Sequence, residues 1–280
     1  MARLLRNAGR EVMTSLGSPT PLPILPASQS RPTPVFRREM IRLGHFFFGY
    51  RDYLIPLAFL ILIFTTSPEF PFGSERLDRW LDGLGIVVAL IGQGCRILAI
   101  GSVDNIRRGG HQKRIAADTL IREGFFAHSR NPLYLGNLLI LFGLILIANC
   151  RWWYLVAFPG FVLTYFALIL AEEDFLTKKF GKEYEEYCRQ VNRLVPNFTG
   201  LRHFLRSFVF DWKQMIQKEY GSTFAWMSMT LVLLLWEQRE RFGYAARRVE
   251  INRLLWCFPP LCLAYLVARV LKKTGRLGGL

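Results

Sequence analysis

The sequence lacks the spacings that many soluble binding sites require. Its five cysteines form no C-x-x-C pair, so neither a disulfide framework nor a zinc site is predicted. Gly92, Gly94 and Gly101 do not have the G-x-G-x-x-G spacing, and we interpret them as helix-packing positions rather than as a dinucleotide fingerprint. The N-terminal stretch has no apolar region typical of a signal peptide. Acids are scarce, with 21 Asp and Glu against 36 Lys and Arg.

Apolar residues dominate what is present. They make up 51% of the 280 residues, and the mean hydropathy is +0.21. Because they fall in long runs rather than in amphipathic stripes, the chain has the profile of a membrane protein. The basic residues lie between these runs, where they are typical of cytoplasmic loops and of contacts with anionic headgroups. We therefore interpret the net charge of +15 as a membrane feature and predict no nucleic-acid partner.

Six apolar runs indicate the fold class. They cover residues 43–66, 83–103, 133–149, 153–171, 223–236 and 254–271. Most of these runs approach the ~20 residues that cross a bilayer, so the sequence predicts an all-α, polytopic bundle of about six transmembrane helices. The run 223–236 is short, which leaves open a tilted helix, an extension into the following polar residues, or no crossing.

The segments outside the core differ in composition. Residues 1–42 contain seven arginines and six prolines, so we expect a flexible, basic, cytoplasmic arm; an organelle transit peptide is the alternative for the first eighteen residues. Residues 43–118 are expected to form N-terminal transmembrane helices. A core follows at 119–198, and residues 199–280 form C-terminal helices of unassigned role.

Charge predicts the orientation of the chain. Basic residues are enriched in the segments 104–131 and 172–222 and in the tail, so these parts and both termini are expected on the cytoplasmic side. The loop 67–82 has four acids and two arginines and fits the opposite side. The expected localisation is an integral, multi-pass membrane protein.

The tight turn at 149–152 makes residues 133–171 a predicted helical hairpin. Its base, which we define as Arg130–Tyr134 and Ala171–Phe175, returns to the cytoplasmic face. Pro132 suits the first turn of a helix, where the free N–H groups that follow can receive a carboxylate. Acids at a membrane edge are costly in lipid, so Glu172 and Glu173 are expected to face protein or a water-filled cavity.

Two polar blocks lie at this base. Residues 130–136 read R-N-P-L-Y-L-G, and residues 172–196 read E-E-D-F-L-T-K-K-F-G-K-E-Y-E-E-Y-C-R-Q-V-N-R-L-V-P. From Thr119 to Pro196 the chain resembles the isoprenylcysteine carboxyl methyltransferases and phospholipid N-methyltransferases. Their pattern is close to R-(H/N)-P-x-Y-x-G followed by E-E-x-x-L-x-x-x-F-G-x-x-Y-x-x-Y-x-x-x-V-x-R-x-x-P. Either half alone is weak; their order and spacing on one hairpin make the resemblance specific.

The resemblance implies a membrane enzyme that uses S-adenosylmethionine as cofactor, at a cytoplasmic site on the hairpin base. The residues implied to wall the cofactor pocket are Arg130, Asn131, Pro132, Tyr134 and Gly136. Glu172 is implied to bind the cofactor, while Glu173 and Arg193 are the implied catalytic residues. Methyl transfer from an activated sulfonium needs alignment and exclusion of water, so no metal is expected.

The methyl acceptor is left open. A lipid or lipidated molecule is implied, with either a headgroup amine or the carboxylate or thiol of a prenylated or small hydrophobic molecule as acceptor. Asn131 stands where prenylcysteine enzymes typically have His, which puts that substrate in doubt. The pattern says nothing of residues 199–280 or of the oligomeric state.

Two other functions compete with this interpretation. A sterol reductase that binds NADPH is one, because Tyr187-Cys188 echoes the end of such enzymes; Pro132 and the pair Glu172–Glu173 argue against it. A non-catalytic scaffold or transporter is the other, although it has no need for polar residues on both sides of the hairpin base.

Arg96 requires a partner within its apolar run, either a polar cavity or an acid such as Asp104. His111 and His128 are interpreted as exposed loop residues.

Overall fold

The computed structural model describes residues 34–103, 115 and 117–276, and these form helices joined by turns, with no strand among them. The prediction of an all-α fold is confirmed. Three predictions lie outside the described residues: the arm over residues 1–33, Asp104 as a partner for Arg96, and the exposure of His111.

Nine helices lie in the described residues. They are α1 Val35–Thr65, α2 Glu75–Gly101, α3 Pro132–Ala148, α4 Phe158–Phe180, α5 Lys182–Gln190, α6 Leu201–Ser207, α7 Trp212–Ala246, α8 Arg248–Trp256 and α9 Phe258–Lys273. A π-helical turn, Trp153–Ala157, leads directly into α4. Short 3-10 turns at Pro71–Gly73 and Gly124–Ala127 lie in the connections on either side of α2.

The first helix begins earlier than the sequence predicted. We placed the end of the arm at residue 42, but α1 starts at Val35. Three of the seven arginines that suggested an arm, Arg37, Arg38 and Arg42, lie on this helix, and Arg42 forms an exposed i,i+3 pair with Glu39 at 2.7 Å. Pro34 precedes the first helical residue, as expected for a residue whose ring disfavours a helix before it.

Four helical segments are long and apolar enough to cross a membrane. They are Val35–Thr65, Glu75–Gly101, Trp153–Phe180 and Arg248–Lys273, and α3 is a shorter apolar helix of 17 residues. The run 223–236 lies inside the 35-residue helix α7, which also contains the buried acids Glu219 and Glu237. The four segments indicate an integral membrane protein; a total of six crossings stays a prediction.

Helices α2 and α3 pack at backbone distance because glycines face each other along their contact. A Cβ atom added to Gly92 would lie 2.6 Å from the carbonyl oxygen of Gly136, and one added to Gly143 would lie 2.4 Å from that of Gly85. Small residues allow this approach, which maximises van der Waals contact where lipid weakens the hydrophobic effect. The interpretation of Gly92 as a packing position is confirmed. It is wrong for Gly94, whose Cβ position meets nothing within 4 Å.

Aromatic side chains close the far end of the predicted hairpin. Trp153 is fully buried at the start of the segment that continues as α4, and its ring meets Phe59 of α1 edge-on at 5.3 Å. Phe161 stacks on Phe59, with ring centroids 5.5 Å apart. The indole N–H of Trp153 donates to the hydroxyl of Thr66 at 2.9 Å, so its polar atom is satisfied. This core fixes α4 against α1 and supports the 149–152 turn.

The glycine contact gives a testable comparison within one helix. Gly92→Val is expected to destabilise the protein, because the added carbons meet the α3 backbone; overpacking of this kind costs about 1–3 kcal/mol. Gly94→Val makes the same change in helix propensity, but its side chain enters open space. The loss of stability should therefore be much smaller than for Gly92→Val. Thermal unfolding of both variants in one detergent measures the difference. Equal melting temperatures would contradict the close approach of α2 and α3.

Candidate functional site

The two sides of the hairpin base are joined by the chain that follows α5. The backbone N–H of Arg130 donates to the carbonyl of Asn192 at 2.9 Å, and the hydroxyl of Ser129 donates to that of Leu194 at 2.9 Å. The Asn131 amide donates to the carbonyl of Arg193, also at 2.9 Å. Residues 192–194 therefore lie against the start of α3. The two halves of the sequence motif meet in space, as the predicted hairpin requires.

His128 belongs to this closure, and the prediction that it is an exposed loop residue is wrong. It is 9% exposed, and its ring Nδ1 lies 2.8 Å from the carbonyl oxygen of Asn197. The N–H of Asn197 donates to the His128 carbonyl at 2.8 Å in return. The sequence alone did not indicate that His128 is buried, because the segment that covers it lies almost seventy residues later in the chain.

Glu173 lies between two guanidinium groups. Arg193 donates to both of its oxygens, from Nε to Oε1 and from Nη2 to Oε2, each at 2.9 Å. Arg130 approaches from the other side, with Nη1 at 3.2 Å from Oε1. Glu173 is 5% exposed, so the planar two-point pair with Arg193 compensates a buried charge. Three predicted site residues are thus brought together in one cluster with one net positive charge.

Arg130 has further capacity for a ligand. Its Nη1 lies 2.6 Å from the Cys188 sulfur, and its Nε is buried with no hydrogen-bond partner. Burial by itself disfavours the charged form, but the negative charge of Glu173, followed by Cys188 and Tyr184, outweighs burial and holds the pKa of Arg130 above its ordinary value. A permanently charged donor with an unused N–H therefore lies at the centre of the site. Cys188 was not recognised as a neighbour of Arg130 in the sequence.

Glu172 points to a second group of polar residues. It is partly buried and lies close to the hydroxyl of Tyr134, with which it interacts electrostatically. Arg51 of α1 also lies close to this hydroxyl, and its positive charge acts on both Tyr134 and Glu172. Arg51 pairs only loosely with exposed Asp52, at 3.7 Å. No sequence pattern places Arg51 at the site, because α1 lies outside the motif.

The start of α3 differs in part from the prediction. Asn131 occupies the N-cap position without a capping hydrogen bond from its side chain, and Pro132 is the first residue of the helix, as expected. However, the N–H groups of Tyr134 and Leu135 both return to the carbonyl of Asn131 at 3.1 Å, so they are not free to receive a carboxylate. Gly136 does not adjoin the Glu173 cluster. Its Cβ direction points at Arg96 and Gly92 of α2.

Helix α5 folds back over the cluster. Gly181 has a φ of +53°, which permits the turn after Phe180, and Tyr184 and Tyr187 are buried on the inner face of α5. The Tyr187 hydroxyl donates to the carbonyl of Phe126 at 2.7 Å. Burial raises the pKa of both tyrosines, so they remain neutral. The predicted buried face of this helix is confirmed, and it excludes water from one side of the site.

The donor set fits the cofactor that the sequence resemblance implied. Two guanidinium groups suit a carboxylate, two acids suit an amino group or ribose hydroxyls, and aromatic rings suit a cationic sulfur. The unpartnered Nε of Arg130 is the most specific sign, because buried donors without a partner are rare in a folded chain.

Comparison with known proteins adds independent information. A family model described as phospholipid methyltransferase matches residues 82–183. Protein-S-isoprenylcysteine O-methyltransferase B of Arabidopsis thaliana is 30% identical over 149 residues, which are 50% of this chain and 72% of the relative. A "Probable protein-S-isoprenylcysteine O-methyltransferase" of Oryza sativa subsp. indica is 31% identical over 152 residues, 52% of this chain and 76% of the relative.

A third relative has a different name. The cobalt-zinc-cadmium resistance protein CzcN of Cupriavidus metallidurans is 27% identical over 132 residues, which are 47% of this chain and 58% of the relative. No solved structure matches the chain.

Proposed function

Because the chain belongs to the family of isoprenylcysteine and phospholipid methyltransferases, and is a membrane methyltransferase, we propose that it transfers methyl groups from S-adenosylmethionine to a lipid or lipidated acceptor. The observation that supports this most is the position of Glu173 between Arg130 and Arg193. This cluster joins both halves of the motif and has an unpartnered donor in its interior.

We assign the cofactor-holding role to the residues around this cluster. Arg130 offers its free Nε to the carboxylate of the methionine moiety. Glu172 offers oxygens to an amino group or ribose hydroxyls, while Asn131 and Pro132 hold the backbone that frames the site. Tyr134 positions Glu172 through its hydroxyl. Gly136 lets α3 pack closely against α2, and we assign it no place in the wall of the cofactor pocket.

The residues of the chain supply alignment and a dry environment. When bound, S-adenosylmethionine supplies a methyl group that is already activated on a cationic sulfur. Glu173 and Arg193 are assigned the catalytic role. The Arg193 side chain is 44% exposed at the rim of the site and can contact an acceptor, while Glu173 holds the Arg193 guanidinium in place. Buried Tyr184 and Tyr187 keep water away from the nucleophile, which favours transfer over hydrolysis.

The acceptor is expected to arrive from the bilayer, since the apolar helices α1, α3 and α4 carry residues of the site. The names of the plant relatives support a carboxylate on a prenylated molecule, and the description of the family model supports a lipid headgroup. A carboxylate needs no base, whereas an amine must lose a proton during transfer. Arg51, close to Tyr134 and Glu172, offers a positive charge to an anionic group of either acceptor.

Cofactor binding tests the proposal directly. Calorimetry on the detergent-purified protein should show saturable binding of S-adenosylmethionine or of its demethylated product, and none of NADPH. Arg130→Ala should weaken binding about ten- to a hundredfold, because a charged hydrogen bond contributes roughly 1.5–3 kcal/mol. Exposed Arg42→Ala on α1 is the matched control and should bind like wild type. Saturable NADPH binding without S-adenosylmethionine binding would support the reductase instead.

We further propose that the site faces the cytoplasm, where S-adenosylmethionine is made, with six crossings and both termini inside. Single cysteines at exposed Glu186 of α5 and Arg76 of α2, in a variant without native cysteines, report on this orientation. A membrane-impermeant maleimide should label position 76 on intact cells and position 186 only after permeabilisation. Labelling of position 186 on intact cells would contradict the proposed orientation.

A further inference from the structure

A completely buried ion pair lies in the bundle, outside the Glu173 cluster. Arg96 of α2 donates to Glu219 of α7 from Nε at 2.9 Å and from Nη2 at 2.8 Å, and each side chain is 1% exposed. This is the partner that Arg96 needed within its apolar run. It is 123 positions away in the sequence, so neither a polar cavity nor Asp104 is required to account for Arg96.

The pair extends to the helix that opens the cofactor site. Arg96 Nη1 donates to the side-chain oxygen of Asn137 in α3. One residue earlier, a Cβ atom on Gly136 would lie 2.5 Å from Arg96 Cγ, so only glycine lets the arginine lie this close. Arg96 therefore rests on the first turns of α3, directly beyond Asn131 and Pro132.

Stability alone is a poor reason for this arrangement. A buried ion pair must offset the loss of hydration, and apolar residues of similar volume are often as stabilising. Directional bonds can do what apolar packing cannot, which is to fix one rotation and register of neighbouring helices. Gln93 adds to this network, since it donates to Glu219 at 3.3 Å and accepts from the Trp226 indole at 2.9 Å.

Helix α7 is also attached to the end of α2 that adjoins the site. Gln214 donates to the carbonyls of Ile100 at 2.8 Å and Val103 at 2.5 Å, and the N–H of Asp211 donates to that of Gly101 at 2.9 Å. The matched family region ends at residue 183, so it leaves α7 without a role. These contacts place α7 against α2, and α2 in turn contacts α3, which carries part of the site, through Arg96 and Asn137.

We propose that Glu219 is a positioning residue for the cofactor site, and that α7 is thereby an integral part of the methyltransferase. Glu219 holds Arg96, which holds Asn137, and this chain of contacts fixes the first turns of α3. Tyr134 lies on these turns, and Asn131 directly precedes them. The inference rests on the proposed function of the site and gives the C-terminal helices a role in it.

Two variants and one matched control test the proposal. Glu219→Gln removes the charge, and Asn137→Leu removes the link to α3 while it leaves the ion pair intact, which keeps the test valid if Glu219→Gln fails to fold. Glu237→Gln is the control: it lies on the same helix, is also 1% exposed, and pairs with Arg241 at 2.5 Å. It is 18 residues, or about 27 Å, from Glu219.

Hydrogen exchange at the first turns of α3, measured without cofactor, and KM for S-adenosylmethionine are the readouts. Glu219→Gln and Asn137→Leu should each accelerate exchange at residues 133–136 and raise KM about tenfold. Glu237→Gln should lower the melting temperature but leave both readouts near the wild-type values.

The outcomes separate this inference from the function on which it rests. If the two variants lower only the melting temperature, as the control does, the ion pair is merely structural and the inference is overturned while the wild-type enzyme still binds its cofactor. A wild-type protein that binds no S-adenosylmethionine would overturn the proposed function, and this inference with it.

Discussion

The buried carboxylate of Glu173 is the constraint on which the hairpin base depends. It is the only described acid that pairs with two arginines from the two halves of the motif, Arg130 before α3 and Arg193 after α5. A carboxylate at 5% exposure loses most of its hydration, and the two guanidinium groups replace it. Because one negative charge holds two positive ones, the cluster keeps a net positive charge that suits an anionic ligand group. The same contact closes the chain over the site.

The rest of the bundle fixes the elements that this contact joins. Glycine packing holds α3 against α2, and the aromatic core around Trp153 holds the π-helical turn and α4 against α1. Arg96 of α2 then joins α3 through Asn137 and α7 through Glu219. Polar residues thus meet at an end where neighbouring helices have little freedom to move, which is what in-line methyl transfer requires of its donor and acceptor.

The sequence predicted the features that depend on local pattern. Apolar runs indicated the helices, the 149–152 turn indicated the hairpin, and the two polar blocks placed Arg130, Glu173 and Arg193 in one site. Features that depend on distant contacts were missed. Arg96 indicated that an acid was needed, but only the packing of α7 shows that the acid is Glu219. The burial of His128, the position of Arg51 and the contact of Gly136 with Arg96 likewise arise from elements far apart in the chain.

Transfer of a labelled methyl group is the most direct measurement of the central claim. Cells that produce the wild-type chain, Glu173→Gln or no protein are grown with methyl-deuterated methionine, and membrane lipids and lipidated proteins are analysed by mass spectrometry. The account predicts lipid or lipidated species that gain labelled methyl groups with the wild type and lose most of that gain with Glu173→Gln. Identical labelling in all three samples would contradict it.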